Sequence, residues 1–180
     1  MAKGQEQAAA DAVLTRIGQV AMLHHAGDRE EARHRFLALW AEIGEHGDAL
    51  HRCTLAHYLA GTQDDPEEEL AWDLRALSAA EELTEDLLAD RHEGTAAARA
   101  LSPSLHLNVA ADYDRLGHRE AARLHLRRAR AAARSLAPGR YGEGVRASID
   151  RLEMRLDAAD RGTRGPDGPE GWGRPPRQRP

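Results

Sequence analysis

Apolar residues recur along most of the chain at the spacing of an α-helix. Residues three and four positions apart lie on one helix face, so each such stripe predicts a helix with one buried side. A last stripe, near residue 150, predicts a C-terminal amphipathic helix. The three clearest stripes are Ala32, Phe36, Leu39 and Ile43; Ala122, Leu126, Ala129, Ala133 and Leu136; and Val145, Ile149, Leu152 and Leu156.

Two Pro-containing dipeptides predict where helices begin. Asp65-Pro66 combines a capping aspartate with a proline at the first helical position, and acidic residues follow it. Ser102-Pro103 has the same form and predicts a second helix start. Between these two helices the sequence leaves room for an additional short helix at residues 84–101.

The chain contains an internal repeat. Residues 27–33 match residues 117–123 at five of seven positions without a gap, and both stretches begin with glycine. A weaker match relates Tyr58 to Tyr113 at an offset of 55 residues and includes Leu50-His51, Ala56, Leu105-His106 and Ala111. Internal repeats of this kind indicate an architecture of stacked supersecondary units.

Composition narrows the fold class to all-α. The 180 residues include 34 alanines, whereas only 4 % of the chain is aromatic. Alanine is the best helix former and lets helices approach closely, and the scarcity of aromatic and β-branched residues argues against a sheet. No apolar run approaches the ~20 residues of a membrane-spanning helix, and no signal-peptide pattern occurs, so a cytoplasmic location is expected.

The repeated residues resemble the tetratricopeptide repeat, a helix–turn–helix unit of about 34 residues. The copy that contains residues 117–123, the third along the chain, has residues at the spacing of that pattern, namely Tyr113, Gly117, Ala122, Leu126 and Ala129. The first copy, which contains residues 27–33, has Gly27, Ala32 and Phe36. The resemblance covers residues 10–137. It implies a right-handed stack of about three helix pairs with a C-terminal capping helix, as one domain at residues 1–160. Residues 161–180, rich in Gly, Pro and Arg, are expected to be a disordered tail.

The resemblance also implies a function, which is binding of a protein or peptide in the concave groove of the stack. A carboxylate clamp for a peptide C-terminus is not expected, because only Arg52 among the clamp positions carries a suitable charge. The implied groove positions are Leu14, Ile17, Ala21, His24 and His25; Leu50, Arg52, Ala56, Leu59 and Ala60; and Ser104, Leu107, Ala111, Asp114 and Arg115. We therefore expect a non-enzymatic scaffold. The alternatives are a peptide-sensing module that controls a separate DNA-binding partner, or a helical-bundle enzyme.

The sequence contains several polar clusters that are candidates for metal binding or catalysis. Cys53 and His57 lie four residues apart on a predicted helix, but a stable zinc site needs three or four ligands, so no metal is expected there. His24-His25 suits the C-terminal end of a helix, and Asp64-Asp65 suits a loop and cap. The sequence contains no Walker loop, dinucleotide glycine motif or hydrolase signature, so neither catalysis nor a cofactor is expected.

Charge is distributed unevenly along the chain. Residues 64–93 hold twelve acidic residues against two arginines, and residues 115–140 hold eight arginines against one glutamate. The basic ridge consists of Arg119, Arg123, Arg127, Arg130 and Arg134. It can be a solvated face, can pair with the acidic segment within or between molecules, or can bind phosphate. Pairing between molecules would give a weak homodimer. Nucleic acid is not expected as a partner, because residues 1–160 carry a net charge of −8 (the total of −5 less the +3 of residues 161–180) and no aromatic residue is interleaved with the arginines.

Trp72 stands out in a chain so poor in aromatic residues. As a core residue it would close the gap between the second and third units, whereas an exposed tryptophan would be a binding anchor. The core position is favoured. Trp172, in the tail, is expected to be solvated.

Overall fold

The computed structural model describes residues 2–90 and 95–163, with side chains at 12–84 and 100–161. The described residues form seven α-helices and no strand, which confirms the all-α prediction. None of these helices is long and apolar enough to cross a membrane. The helices are α1 (Ala2–His25), α2 (Arg29–Ile43), α3 (Ala49–Ala60), α4 (Pro66–Asp90), α5 (Thr95–Arg115), α6 (Arg119–Ala132) and α7 (Arg140–Thr163), with a 3₁₀ turn at Ala133–Ser135 between α6 and α7.

Aspartate side chains cap two of the helices. The backbone N–H of Glu67 donates to Asp65 Oδ1 at 2.8 Å, and α4 begins at Pro66 as the sequence predicts. Asp48 caps α3, since its Oδ1 accepts from the N–H groups of Leu50 (2.9 Å) and His51 (3.1 Å). Both caps satisfy N–H groups that have no partner inside the helix.

The two turns related by the ninety-residue repeat have the same geometry. Gly27 after α1 and Gly117 after α5 both adopt positive φ, at 99° and 79°. Each turn closes with the long-range bond of a Schellman motif, for which a glycine without Cβ is favoured. Those bonds are Asp28 N–H to Leu23 C=O (3.1 Å) and His118 N–H to Tyr113 C=O (2.8 Å). The repeat in sequence is therefore a repeat in local structure.

Among the residues whose side chains are described, three apolar clusters form the core, in succession along the chain. The first, with Ile17, Phe36 and Leu55, joins α1, α2 and α3. The middle cluster joins α3, α4 and α5, and the last joins α5, α6 and α7. Consecutive helices pack together throughout, and α1 also packs on α3 and α5 on α7. The stripe on α7, including Val145 and Ile149, is buried as predicted.

Two predictions between α4 and α5 are wrong. The described residues of the segment 84–101 belong to the two long helices and not to a separate short one, because α4 continues to Asp90 and α5 already begins at Thr95. Pro103 therefore lies inside α5 rather than at its start. The alanine-rich segment before it favours continued helix, and burial of the Pro103 ring offsets the lost backbone hydrogen bond. In addition, Ser104 Oγ donates to the carbonyl of Leu101 at 2.8 Å.

The predicted tail begins three residues too early. Helix α7 extends to Thr163, so residues 161–163 are helical. The rest of the predicted tail, residues 164–180 with Trp172, lies outside the described residues.

The basic ridge pairs mainly with α7 rather than with the acidic segment. Arg130 contacts Asp150 (2.7 Å) and Glu153 (2.5 Å), and Arg123 contacts Asp157 (3.1 Å). The remaining ion pairs of the ridge join Arg119 and Arg123 to Asp160. Arg127 and Arg134 are exposed and form no ion pair within the described part of the chain. Exposed ion pairs each contribute about 0–1 kcal/mol, so those of the ridge fix the orientation of α7 more than they add to the stability of the fold.

Trp72, on α4, is half-buried. Its ring packs edge-on against Trp40 of α2, with 5.0 Å between ring centroids. The guanidinium of Arg75 lies over the ring at 4.7 Å from its centroid. Trp72 packs against both the first and the middle apolar clusters, so its ring contributes to the core, as favoured from the sequence.

Two histidines form a buried pair between α5 and α6. Nδ1 of His106 lies 3.2 Å from Nδ1 of His125, so one ring donates and the other accepts. Burial, together with the neighbouring charges of His125 and Arg128, lowers the pKa of His106 to about 4. The pair is neutral in the folded protein at neutral pH.

Ala32 and Ala122 are completely buried, which makes them a test of the packing. Replacing either by leucine should overpack its helix contact and lower the free energy of unfolding by about 1–3 kcal/mol, measured by urea unfolding. Leucine at Ala38 or Ala131, which are exposed on the same two elements, serves as the control and should change stability little. Equal effects at buried and exposed sites would contradict the packing.

The histidine pair should make stability depend on pH. The unfolded protein binds a proton at His106 near pH 6.5, whereas the folded protein resists it until about pH 4, so stability falls as pH drops through this window. His106→Gln should reduce that loss by on the order of 2–3 kcal/mol. His46→Gln, at an exposed position, should leave it unchanged. Thermal unfolding between pH 4 and 7.5 measures the pH dependence of stability in the wild type and both variants. The same pH dependence in the wild type and in His106→Gln would refute the role of His106.

Candidate functional site

The structure places the implied groove positions in different environments, and only some of them lie together at one cavity. Five of them are buried in the helix packing, and of these five only Ala60 borders the cavity described below; the other four are Ile17, Ala21, Ala56 and Leu59. Arg52 is occupied by Glu82, at 2.6 Å, and by the carbonyl of Gly47. Leu14 and Leu107 are half-buried against the first and last clusters. The positions that line one cavity together are His24, His25, Ala60, Ala111 and Arg115.

This cavity, of about 370 Å³, lies where the C-terminal turns of three helices meet. Helix α1 contributes His24 and His25, α3 ends at Ala60, and α5 contributes its last two turns. The first turns of α4 and a single side chain of α7 complete the wall. The remaining lining residues are His57, Tyr58, Gly61, Glu69, Asp73, Asn108, Asp112 and Arg155.

Three carboxyl groups lie together in the wall between α4 and α5. One oxygen of each of Glu69, Asp73 and Asp112 lies within 4.8 Å of the others. Each aspartate is only 2 % exposed, whereas Glu69 is half-buried. Three oxygen ligands are of the kind that hard divalent cations prefer. However, the guanidinium of Arg115 already bridges two of them, at 2.6 Å from Glu69 and 2.7 Å from Asp112.

Asp73 retains a proton in this environment. Burial, followed by the neighbouring carboxylate of Asp112, raises the pKa of Asp73 to about 8. Burial also raises the pKa of Asp112, although the hydrogen bonds from Asp73 and Arg115 oppose that change. Two buried carboxyl groups so close together cannot both ionise cheaply, and the shared proton relieves the repulsion. At neutral pH the pair therefore carries a single negative charge.

The hydrogen bonding of the pair is incomplete. Within the described residues, the buried Oδ2 of Asp112 has no hydrogen-bond partner. The amide of Asn108 reaches Asp73 Oδ1 only at 3.5 Å, and its distance to His57 Nδ1 is 3.4 Å. A buried acceptor without a partner costs about 1–3 kcal/mol. The site thus contains hydrogen-bonding capacity that the chain itself does not use.

The cationic side chains at the cavity are, by contrast, neutralised. Arg115 is shared by Glu69 and Asp112, and Arg155 donates to Asp114 at 2.7 Å. Asp114, an implied groove position, is therefore used to hold α7 against α5. The partial negative charge of three helix C-termini adds to the charge of the carboxylates. The electrostatics of the cavity thus favour a positive group over an anion.

The Cys53 position is unsuited to metal binding. The side chain is buried, and burial raises the pKa of the Cys53 thiol to about 11, which disfavours the thiolate that metals require. Asp64, in the loop between α3 and α4, forms ion pairs with Arg29 (2.6 Å) and Arg33 (3.3 Å) of α2.

The carboxyl pair was missed by sequence reasoning, although a signal for it exists. Asp73 precedes the buried residues Ala76, Leu77 and Ala80 at the spacing of their own stripe, and Asp112 continues the stripe of Leu105 and Val109. An acidic residue at a core position of an amphipathic helix must be paired, protonated or functional. Each aspartate has a polar neighbour four residues earlier in the chain that also lines the cavity: Glu69 for Asp73, and Asn108 for Asp112.

No protein-family model, curated protein or solved structure matches this chain. Function must therefore be inferred from the site itself.

The raised pKa of Asp73 should make the wild-type protein less stable as pH increases. Its proton is favoured in the folded state up to about pH 8 but is lost near pH 4 in the unfolded state, so stability declines through this window. Asp73→Asn, which is neutral at every pH, should gain stability relative to wild type by on the order of a few kcal/mol between pH 5 and 9. The exposed Asp150→Asn is the control. A pH-independent difference between Asp73→Asn and wild type, in urea unfolding, would contradict the buried proton.

Proposed function

We propose that the protein is a non-enzymatic peptide-binding module, built as a short TPR-like stack of helix pairs. The cavity at the C-terminal ends of α1, α3 and α5 is its binding site. The observation that carries the proposal is the composition of the cavity wall: it gathers one or two implied groove positions from each of these three helices, His24, His25, Ala60, Ala111 and Arg115.

Two features of the fold support a stack. The turns that follow α1 and α5 have matching positive-φ glycines and matching hydrogen bonds. The odd-numbered helices α1 and α3, and likewise α5 and α7, pack on each other. In a stack of helix pairs, the first helix of each pair lines the concave face. The cavity lies between such first helices.

The size and rim of the cavity suit a segment of a peptide. A volume of about 370 Å³ accommodates one or two side chains but not a folded domain. Its rim carries the exposed residues His25, His57 and Arg115, and half-buried Tyr58 contributes an aromatic surface. Apolar contact at Ala111 and Tyr58 would combine there with a few polar groups that fix orientation.

Filling the cavity should abolish peptide binding. Peptides selected from a phage-displayed library of random dodecapeptides should bind the wild type, and Ala111→Trp should weaken their binding at least tenfold, measured by fluorescence anisotropy. Ala41→Trp, on the exposed face of α2, is the matched control and should bind normally.

A second variant protects the test against misfolding of Ala111→Trp. Gly61→Phe also adds an aromatic ring at the cavity, and a Cβ at Gly61 meets no atom closer than 3.7 Å. Gly61 adopts an ordinary helical φ, so a side chain causes no backbone strain there. The proposal fails if the library yields no binding peptide, or if both variants retain the affinity of the wild type.

A further inference from the structure

The charges around the cavity do not balance. Glu69, Asp73 and Asp112 meet a single guanidinium, that of Arg115, while Arg155 is neutralised by Asp114. The chain supplies a proton to Asp73 in place of a second cation. An external positive group could take the place of that proton.

The geometry provides the hydrogen-bond acceptors for such a group. Asp112 lines the cavity wall, and its buried Oδ2 has no hydrogen-bond partner in the described part of the chain. Asp73 Oδ1 has only the long contact from Asn108. A guanidinium or ammonium group presents several N–H donors at once and would satisfy both carboxylates.

We propose that the cavity binds the cationic side chain of an arginine or lysine in a peptide partner, between the carboxyl groups of Asp73 and Asp112. This inference rests on the proposed peptide-binding function and specifies its ligand. The volume of about 370 Å³ admits such a side chain with its aliphatic stem. The C-terminal turns of α1, α3 and α5 direct partial negative charge towards it.

A divalent metal ion matches the same oxygens less well. Arg115 Nη2 already contacts Glu69 and Asp112, so an ion bound by all three carboxylates would have to displace a guanidinium. A peptide cation needs only Asp73 and the unused oxygen of Asp112, and Arg115 can remain in place. The metal ion is therefore an alternative outcome of the test.

Binding of a cation should release a proton. The carboxylic acid of Asp73 ionises as the positive group arrives, and the proton passes to solvent while both carboxylates accept hydrogen bonds from the ligand. Affinity should thus increase with pH up to about pH 8, where Asp73 is already ionised in the free protein. The other titratable or charged groups that line the cavity are Glu69 on α4, Asp112 and Arg115 on α5, His57 and Tyr58 on α3, His24 and His25 on α1, and Arg155 on α7.

The experiment uses blocked pentapeptides, acetylated and amidated, with the sequence Ala-Ala-Xaa-Ala-Ala. Xaa is arginine, lysine or the neutral isostere citrulline, and an all-alanine peptide with a free amino terminus tests the other source of an ammonium group. Binding to the full chain is followed by chemical-shift titration at pH 6, 7 and 8.5. The arginine or lysine peptide should bind at least tenfold more tightly than citrulline at pH 8.5.

Calorimetry in two buffers of different ionisation enthalpy counts the protons. Roughly one proton should be released on binding at pH 7, and close to none above pH 9. Asp73→Asn should abolish this release and the pH dependence of affinity, whereas the matched control Asp150→Asn should retain both. Proton release that persists in Asp73→Asn would assign it to a histidine of the wall and overturn the role of Asp73.

The remaining outcomes separate this inference from the proposed function. If the arginine, lysine and citrulline peptides bind equally well, and Ala111→Trp blocks their binding, the proposed preference for a cationic side chain is wrong, whereas the proposed peptide-binding function of the cavity is retained. Preferential binding of the free amino terminus overturns the choice of a side chain. Shifts of the cavity resonances by Mg²⁺ or Mn²⁺, with none from the peptides, overturn the proposal in favour of a metal site. Binding by none of the probes also overturns it, while the library selection independently decides whether peptides bind.

Discussion

Close approach of helices through alanine is the constraint on which the rest of the structure depends. Twelve of the 27 buried apolar side chains in the described part of the chain are alanines. Each removes little apolar area from water, so stability requires many contacts at short distance rather than a few large side chains. That is why Ala32 and Ala122 carry no exposed surface, and why an added methyl group is expected to be felt at either position.

The same packing creates the chemistry of the cavity. Helices α4 and α5 meet through small residues such as Ala76 and Ala80, beside Leu105 and Val109. A polar side chain on the stripe of one helix is then forced against its counterpart on the other. Asp73 and Asp112 are thereby excluded from water at a separation where one negative charge is tolerated and two are not, which explains the retained proton.

The sequence predicts local structure far better than the site. The helical stripe of α7 and the cap at Asp65 depend on residues close in the chain, and both were predicted correctly. The prediction around Pro103 failed because tertiary burial and an alanine-rich flank overrode a local helix-breaking signal. The carboxyl pair joins residues 39 positions apart, so neither its proximity nor its proton could be read from spacing. The pairing of Arg123 and Arg130 with α7 is equally non-local.

The position of the pair within the core has an energetic consequence. The two helices that supply most of the middle cluster, α4 and α5, also carry Asp73 and Asp112, and so hold a buried proton and an unpaired oxygen of Asp112. The central contact between α4 and α5 thus bears an electrostatic cost in the free protein. A ligand that supplies the missing positive charge removes this cost and stabilises the folded state by mass action. Because α4 and α5 link the two outer clusters, that stabilisation would act on the contact that holds the two ends of the protein together.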